Sequence, residues 1–261
     1  MKIFFIGDII GKPGRRAVAA LLPKVIEDYG IHFVIANAEN AAAGFGVTKD
    51  VVEELFASRI DVLTSGNHIW DKKEIEDFID DYGSLLRPAN YPATVRGRGS
   101  VVMPTSFAAD LGVMNLMGRV FMLPLECPFR TADKELAKLN QKTKVVIVDI
   151  HAEATSEKQA LAWYLDGRVS AVLGTHTHVQ TADEGILPGG TAYITDAGMT
   201  GPFDSVIGIN KETILKRFLS QVPMKYDVAK DNVRMQGVVI KIDEISGKSL
   251  SIERINIKMM N

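Results

Sequence analysis

The amino-acid sequence predicts an α/β fold, and three observations carry that prediction. Short apolar runs alternate with stretches whose apolar residues recur at helical spacing. Five of those runs end in polar residues able to bind or react. Residues 237–242 and 250–257 instead alternate apolar and polar side chains, as antiparallel strands do. In α/β sheets, ligands sit beyond the carboxyl ends of the strands, so the polar endings fall where a site is expected.

The first strand is predicted at residues 3–6, ending at Gly7-Asp8. Gly11, Pro13 and Gly14 read as a turn, and Ala17, Leu21, Leu22, Val25 and Ile26 then repeat at helical spacing. Residues 33–36 form the next strand, ending at Glu39-Asn40. Thr48 is a candidate cap for a helix carrying Val51, Val52 and Leu55. The third strand, 60–63, ends at Ser65-Gly66-Asn67-His68. Later strands at 145–150 and 169–173 end at His151 and at Gly174-Thr175-His176-Thr177-His178, with Ser156 as a cap between them. Residues 88–128, with short apolar runs at 113–116 and 120–123, suggest short strands and turns. Ser246-Gly247, within 244–248, reads as a hairpin turn.

Composition narrows the function. The chain has 261 residues, a formal net charge of −2, 46% hydrophobic and 24% charged residues. That describes a globular protein able to bury a large core without metals or disulfides, so a bound metal would serve chemistry. The charge balance argues against duplex nucleic acid as a partner. A single cysteine, Cys127, excludes Cys-rich zinc folds and reads as a core or loop residue. The chain opens on a strand rather than a secretory leader, and no apolar run approaches the roughly 18 residues of a membrane helix. A cytoplasmic protein without membrane contact is the expectation.

Four of the five histidines, His68, His151, His176 and His178, follow predicted strands; His32 precedes one and reads as structural. If 176–178 continues as strand, both imidazoles point the same way; if it turns, they can reach two neighbouring ions. Asp8, Glu39, Asn40 and Asn67 add oxygen donors. Singly, each could be a helix cap or turn residue. Together they form a mixed N/O set suited to manganese, iron or zinc rather than calcium. Seven ligands exceed the needs of one ion and suit two ions sharing a carboxylate, a clamp for in-line displacement at phosphorus. There is no G-x-G-x-x-G turn after the first strand, no Walker A loop and no G-x-S-x-G elbow.

The segments IGDIIGKPGR, ANAENAAAGFG, TSGNHIWDKKEI, RPANYP, DIHAEATSEK, GTHTHVQTAD and YITDAGMTGP resemble the YmdB-like bacterial phosphodiesterases, within the calcineurin-like metallophosphoesterases. The sequence departs from the broad superfamily at three positions: Ile10 replaces a His, Glu39 an Asp, and Ile69 an acid. The narrow group shares these departures, and there Asn40 takes the place of the missing His. The resemblance implies a four-layer αββα sandwich of two mixed sheets flanked by helices, in one domain over 1–261. Residues 88–128 would supply either a small cap or a surface for homo-oligomer formation. It further implies two metal ions, iron or manganese, with magnesium and zinc as alternatives. Asp8, Glu39, Asn40 and His178 would hold one; Glu39, Asn67, His151 and His176 the other.

The implied activity is hydrolysis of 2',3'-cyclic nucleotides to 3'-nucleotides. A metal-bridging hydroxide would attack, and His68 would act as general acid. Asp71 reads as a solvated helix-start charge, with orientation of His68 as the alternative. A nuclease or phosphomonoesterase would use the same metals, and a non-enzymatic nucleotide-binding regulator is the remaining alternative.

Overall fold

A computed structural model describes residues 1–260. Two sheets form its centre. In the first, β1 (Lys2–Ile6) lies parallel to β3 (Phe33–Asn37), and β3 to β4 (Val62–Thr64). On its other side β1 meets β12 (Val233–Ile242), which runs antiparallel to it. β12 pairs along its far edge with β13 (Ser249–Lys258). Where β1 gives out at Gly7, β11 (Met199–Pro202) takes over beside β12 and pairs with β2 (Asp8–Ile9). The second sheet has the order β5 (Ser100–Met103), β6 (Leu111–Met117), β7 (Val145–His151), β8 (Ala171–Thr175), β10 (Ala192–Ile194), β9 (Gly185–Ile186).

The inner faces share one core. Ile3, Phe5, Ile35 and Val238 from the first sheet pack with Val113, Ile147, Leu173 and Ile194 from the second, all fully buried. The outer face of the first sheet is covered by α1 (Gly11–Tyr29) and α2 (Lys49–Ala57), through Val18, Leu22, Val52 and Leu55. That of the second is covered by α4 (Pro128–Leu139) and α5 (Thr155–Leu165), through Leu136, Leu161 and Leu165. The short α3 (Ile75–Phe78) follows β4, and α6 (Lys211–Ser220) follows β11. Helix, sheet, sheet, helix: the four-layer arrangement implied by the motifs is the observed one. Burial of both faces explains why β1, β3, β7 and β8 read as largely apolar runs, broken in β7 only by Asp149 before its end.

Thr48 caps α2 as expected, its hydroxyl accepting from Val51 N at 3.4 Å. Other local expectations fail. Gly11, Pro13 and Gly14 are the first turn of α1 rather than a loop, since a proline in a first turn forfeits no helical hydrogen bond. Ser156 is not a cap; α5 starts at Thr155, after Ala154. Residues 120–123 turn instead of extending, leaving Phe121 89% exposed. Within 88–128 lie β5 and β6, so much of this segment belongs to the second sheet. Cys127 is a half-buried free thiol just before α4. Among the described residues no helix is long and apolar enough to cross a membrane.

Candidate metal centre

Parallel pairing of β1 with β3 and β3 with β4, and of β6 with β7 and β7 with β8, brings the carboxyl ends of six strands to one rim. All seven expected ligands stand there. Asp8 is in β2, Glu39 and Asn40 follow β3, Asn67 follows β4, His151 ends β7, and His176 and His178 follow β8. His32 sits at the opposite rim, its Nδ1 accepting from Lys2 N at 3.0 Å.

The candidate ligands fall into two groups that meet at Glu39. In the deep group, His151 Nε2 lies 3.0 Å from Glu39 Oε1, 3.0 Å from Asn67 Oδ1 and 3.0 Å from His176 Nδ1. In the flank group, His178 Nε2 lies 3.7 Å from Asp8 Oδ1 and 3.3 Å from the Asn40 amide, which donates to Glu39 Oε1 at 3.1 Å. An amide binds metal through its oxygen, so Asn40 must turn over to become a ligand.

Each imidazole is oriented from behind. The Thr175 hydroxyl donates to Asp149 Oδ1 at 2.7 Å, so His151 Nδ1–H is the donor in its 2.9 Å contact with Thr175 Oγ1. Asp149 is held by Asn37 Nδ2 at 3.0 Å and Thr64 Oγ1 at 2.5 Å. His176 Nε2–H faces Glu153 Oε2 at 3.2 Å, and His178 Nδ1–H donates to Ile207 O at 2.9 Å. The remaining nitrogens, His151 Nε2, His176 Nδ1 and His178 Nε2, therefore face the centre and, when unprotonated, can offer lone pairs to a cation, as metal-binding histidines do.

Without a cation this cluster is unfavourable. Asp8 Oδ1 is buried without a hydrogen-bond partner, which normally calls for an ion or water. Burial pushes the Asp8 carboxyl above its usual range, against the pull of His178 and His151. Burial would lower His151, but the charge and hydrogen bond of Glu39, helped by Asp8 and Asp149, raise it to about 9. His176, buried and beside His151, falls to about 3. Burial opposes ionisation of Glu39, but His151 and His68 outweigh it and hold the carboxyl at about 2. Protons here do imperfectly what cations would do, and the donor set fits metal.

Backbone strain shapes the histidine turn. His176 has φ 95° and His178 φ 62°, in the left-handed region that side chains avoid. The segment therefore turns, the second of the two conformations open from sequence. Asp196 holds it by accepting from Thr177 N at 3.0 Å and Thr177 Oγ1 at 2.6 Å, while the buried Lys158 Nζ balances its charge at 2.9 Å. Gly66 is required on steric grounds: a Cβ there would lie 2.1 Å from the His151 ring.

His68 lies beside the ligands. Its N–H donates to Glu39 Oε2 at 3.0 Å, and its Nδ1 meets Asp71 Oδ2 at 2.8 Å. Asp71 thus contacts His68 rather than only water. The centre opens into a cleft of about 650 Å³, lined by His68, Phe45, Ile207 and, from α6 and beyond, Arg217, Phe218 and Tyr226. Sequence reasoning missed Asn37, Glu153, Lys158, Thr175 and Asp196. It also missed Asp149, which carried a signal: a carboxylate inside a wholly buried strand.

Comparison with known proteins agrees with this picture. The sequence model of the family described as YmdB-like protein matches residues 4–255. A 2',3'-cyclic-nucleotide 2'-phosphodiesterase of Bacillus subtilis is 52% identical, over 98% of this chain and 96% of that protein. The crystal structure of a hypothetical protein from Thermus thermophilus superposes with a TM-score of 0.93 at 42% identity, covering 99% of each chain. That of a novel phosphatase from Mycoplasma pneumoniae gives 0.93 at 35% identity, covering 99% of this chain and 93% of the other. The chain belongs to the YmdB-like family.

Proposed function

We propose that this chain is a metal-dependent phosphodiesterase that opens 2',3'-cyclic nucleotides to 3'-nucleotides. The observation that carries the reading is the convergence of three imidazole nitrogens with Glu39 and the unpartnered Asp8 oxygen at the rim of both sheets. The activity named for the B. subtilis relative supports the substrate class.

Asp8, Glu39, Asn40 and His178 would hold one ion and Glu39, Asn67, His151 and His176 the second, with Glu39 shared. Nitrogen and oxygen donors together suit iron or manganese. Bound there, the ions would supply positive charge that attracts the diester and acidifies water.

The chain's own groups do the rest. Asp149, Thr175, Glu153 and the Ile207 carbonyl fix the imidazoles before substrate arrives, so no reorientation is needed during reaction. As water adds to phosphorus, the bond from phosphorus to the 2'-oxygen breaks and that oxygen needs a proton. His68 lines the cleft and donates Nδ1–H to Asp71, so its imidazolium would give the proton from Nε2 and be left as the neutral Nδ1–H form. The 3'-oxygen keeps the phosphate.

The name of the M. pneumoniae protein, a novel phosphatase, favours monoester hydrolysis as the second reading. Metal-reconstituted protein should be assayed on 2',3'-cyclic AMP, 3',5'-cyclic AMP and para-nitrophenyl mono- and diesters, with metal content measured in parallel. Preferential formation of 3'-AMP with about two metals per chain supports the first reading. Monoester hydrolysis alone replaces it with the second, and failure to bind metal removes both.

A further inference from the structure

A second concavity adjoins the catalytic cleft. It measures about 1430 Å³, above the roughly 300–1,000 Å³ usual for small-molecule pockets. Phe45 and Tyr226 line both spaces. Lys12, Arg16, Lys72, Lys225, Lys230 and Lys258 line the second. Against them stand three carboxylates, Asp204, Asp227 and Asp231, on a chain whose formal net charge is −2. None of the six cations is in an ion pair among the described residues. Asp204 is engaged by the Asn232 amide at 3.0 Å. Lys12 and Arg16 also belong to the first two turns of α1, whose positive dipole end has no acidic residue in its first turn.

We infer that this groove holds the phosphodiester backbone of a single-stranded oligoribonucleotide whose 2',3'-cyclic phosphate end enters the metal centre. The inference rests on the phosphodiesterase reading above. A 2',3'-cyclic phosphate occupies a 3' terminus, so any further nucleotides extend from the 5'-oxygen, away from the reacting phosphorus. A chain leaving the cleft meets the boundary formed by Phe45 and Tyr226. These rings stack on each other with centroids 6.1 Å apart, and Arg217 lies 4.9 Å over Tyr226. Aromatic faces backed by cations accept bases of any identity, and a basic groove beyond them follows the backbone. The three carboxylates would repel such a ligand, but six cations outnumber them.

Two measurements test this. The first compares kcat/KM of metal-loaded protein on 2',3'-cyclic AMP and on oligoadenylates of two to four nucleotides ending in a 2',3'-cyclic phosphate. The expected result is a rise of roughly 10-fold by four nucleotides, with the ratio collapsing toward 1 in the double variant Arg16→Glu, Lys230→Glu. Equal turnover at all lengths, or an unchanged ratio in the variant, overturns the inference and leaves the mononucleotide reading standing. The second measurement uses metal-free protein, with fluorescence anisotropy of 5'-fluorescein tetraadenylate 3'-phosphate as the readout. The slope of log affinity against log salt should be about −1.4 to −2.1 for two or three phosphate contacts. A slope near zero overturns the inference even if no substrate is cleaved. Tighter binding of an RNA duplex than of the single strand also overturns it. Failure to hydrolyse any cyclic ester, with binding intact, sinks the proposed activity but not the groove.

Discussion

The two halves of the candidate metal centre are built differently. The deep half rests on strand ends: His151 is fully buried, and behind it Thr175, Asp149, Thr64 and Asn37 form a closed hydrogen-bonded chain. In the flank half Asp8 is a buried strand residue, but the imidazole rests on loops: the side chain of His178 is 11% exposed and is aimed by one carbonyl, that of Ile207, which is itself 52% exposed. The same ligand chemistry is thus preorganised by sheet on one side and by a loop on the other. Fixed geometry favours retention of an ion and mobile geometry favours exchange, so the deep ion should be the slower to leave.

The largest effect should come from the residue that abolishes the distinction. Glu39→Gln removes the carboxylate common to both halves, and elemental analysis should find both ions depleted, with activity down more than about 10³-fold. Retention of two ions would contradict the sharing of Glu39. Next in size is His68→Ala, which touches neither half through its side chain. Turnover should fall roughly 10²–10⁴-fold with metal content unchanged, and Asp71→Asn should cost less. Normal turnover would remove His68 from its role as acid. Thr175→Val tests the comparison itself by cutting the link from His151 to Asp149. Affinity for one ion should drop about 10–100-fold while the other is spared; equal weakening of both, measured by competition with a chelator, would show the halves are not independent.

The smallest effect concerns pH. His151 is raised to about 9 in the metal-free fold, from its ordinary value of 6.5. The stability it contributes is complete below pH 6.5 and is lost as pH rises through 9. Asp149, pushed by burial up to about 7 against His151 and the Thr64 and Thr175 hydroxyls, adds a loss in the same direction at the lower end of that window. His176 and Glu39, held at about 3 and about 2, exert their opposite effects at lower pH. The melting temperature of metal-free protein should therefore fall by a few degrees between pH 6.5 and 9. Metal-loaded protein should lack this decline, and a flat profile for the metal-free form would count against a protonated His151.

Much of this was legible in the sequence because parallel strands buried on both faces announce themselves and end where ligands bind. Residues 3–6, 33–36 and 145–150 are strands within a residue or two of expectation, and the seven ligand candidates share one rim. The supporting residues were not legible. Asn37, Thr64 and Thr175 are ordinary strand residues until three strands are aligned, and Lys158 on α5 meets Asp196 only across the second sheet. The contact of the exposed Asp71 with His68 was not legible for a related reason. Whether a carboxylate three residues on can reach an imidazole depends on the local turn. The strained backbone of His176 and His178 likewise follows from the hold of Asp196 on Thr177, a contact 19 residues distant in sequence.

The order of the ligands along the chain has a consequence in time. The oxygen donors Asp8, Glu39, Asn40 and Asn67 all precede the nitrogen donors His151, His176 and His178, and β12, the neighbour of β1, comes later still. At roughly 5–20 residues per second, the ribosome completes the carboxylate and amide set about 6–22 s before the last imidazole emerges. A nascent chain thus first offers only hard oxygen donors, and the nitrogen donors that make the set a mixed one arrive last. Completion of the donor set is therefore a late event, although β9 to β13 and α6 are still to be synthesised when His178 emerges.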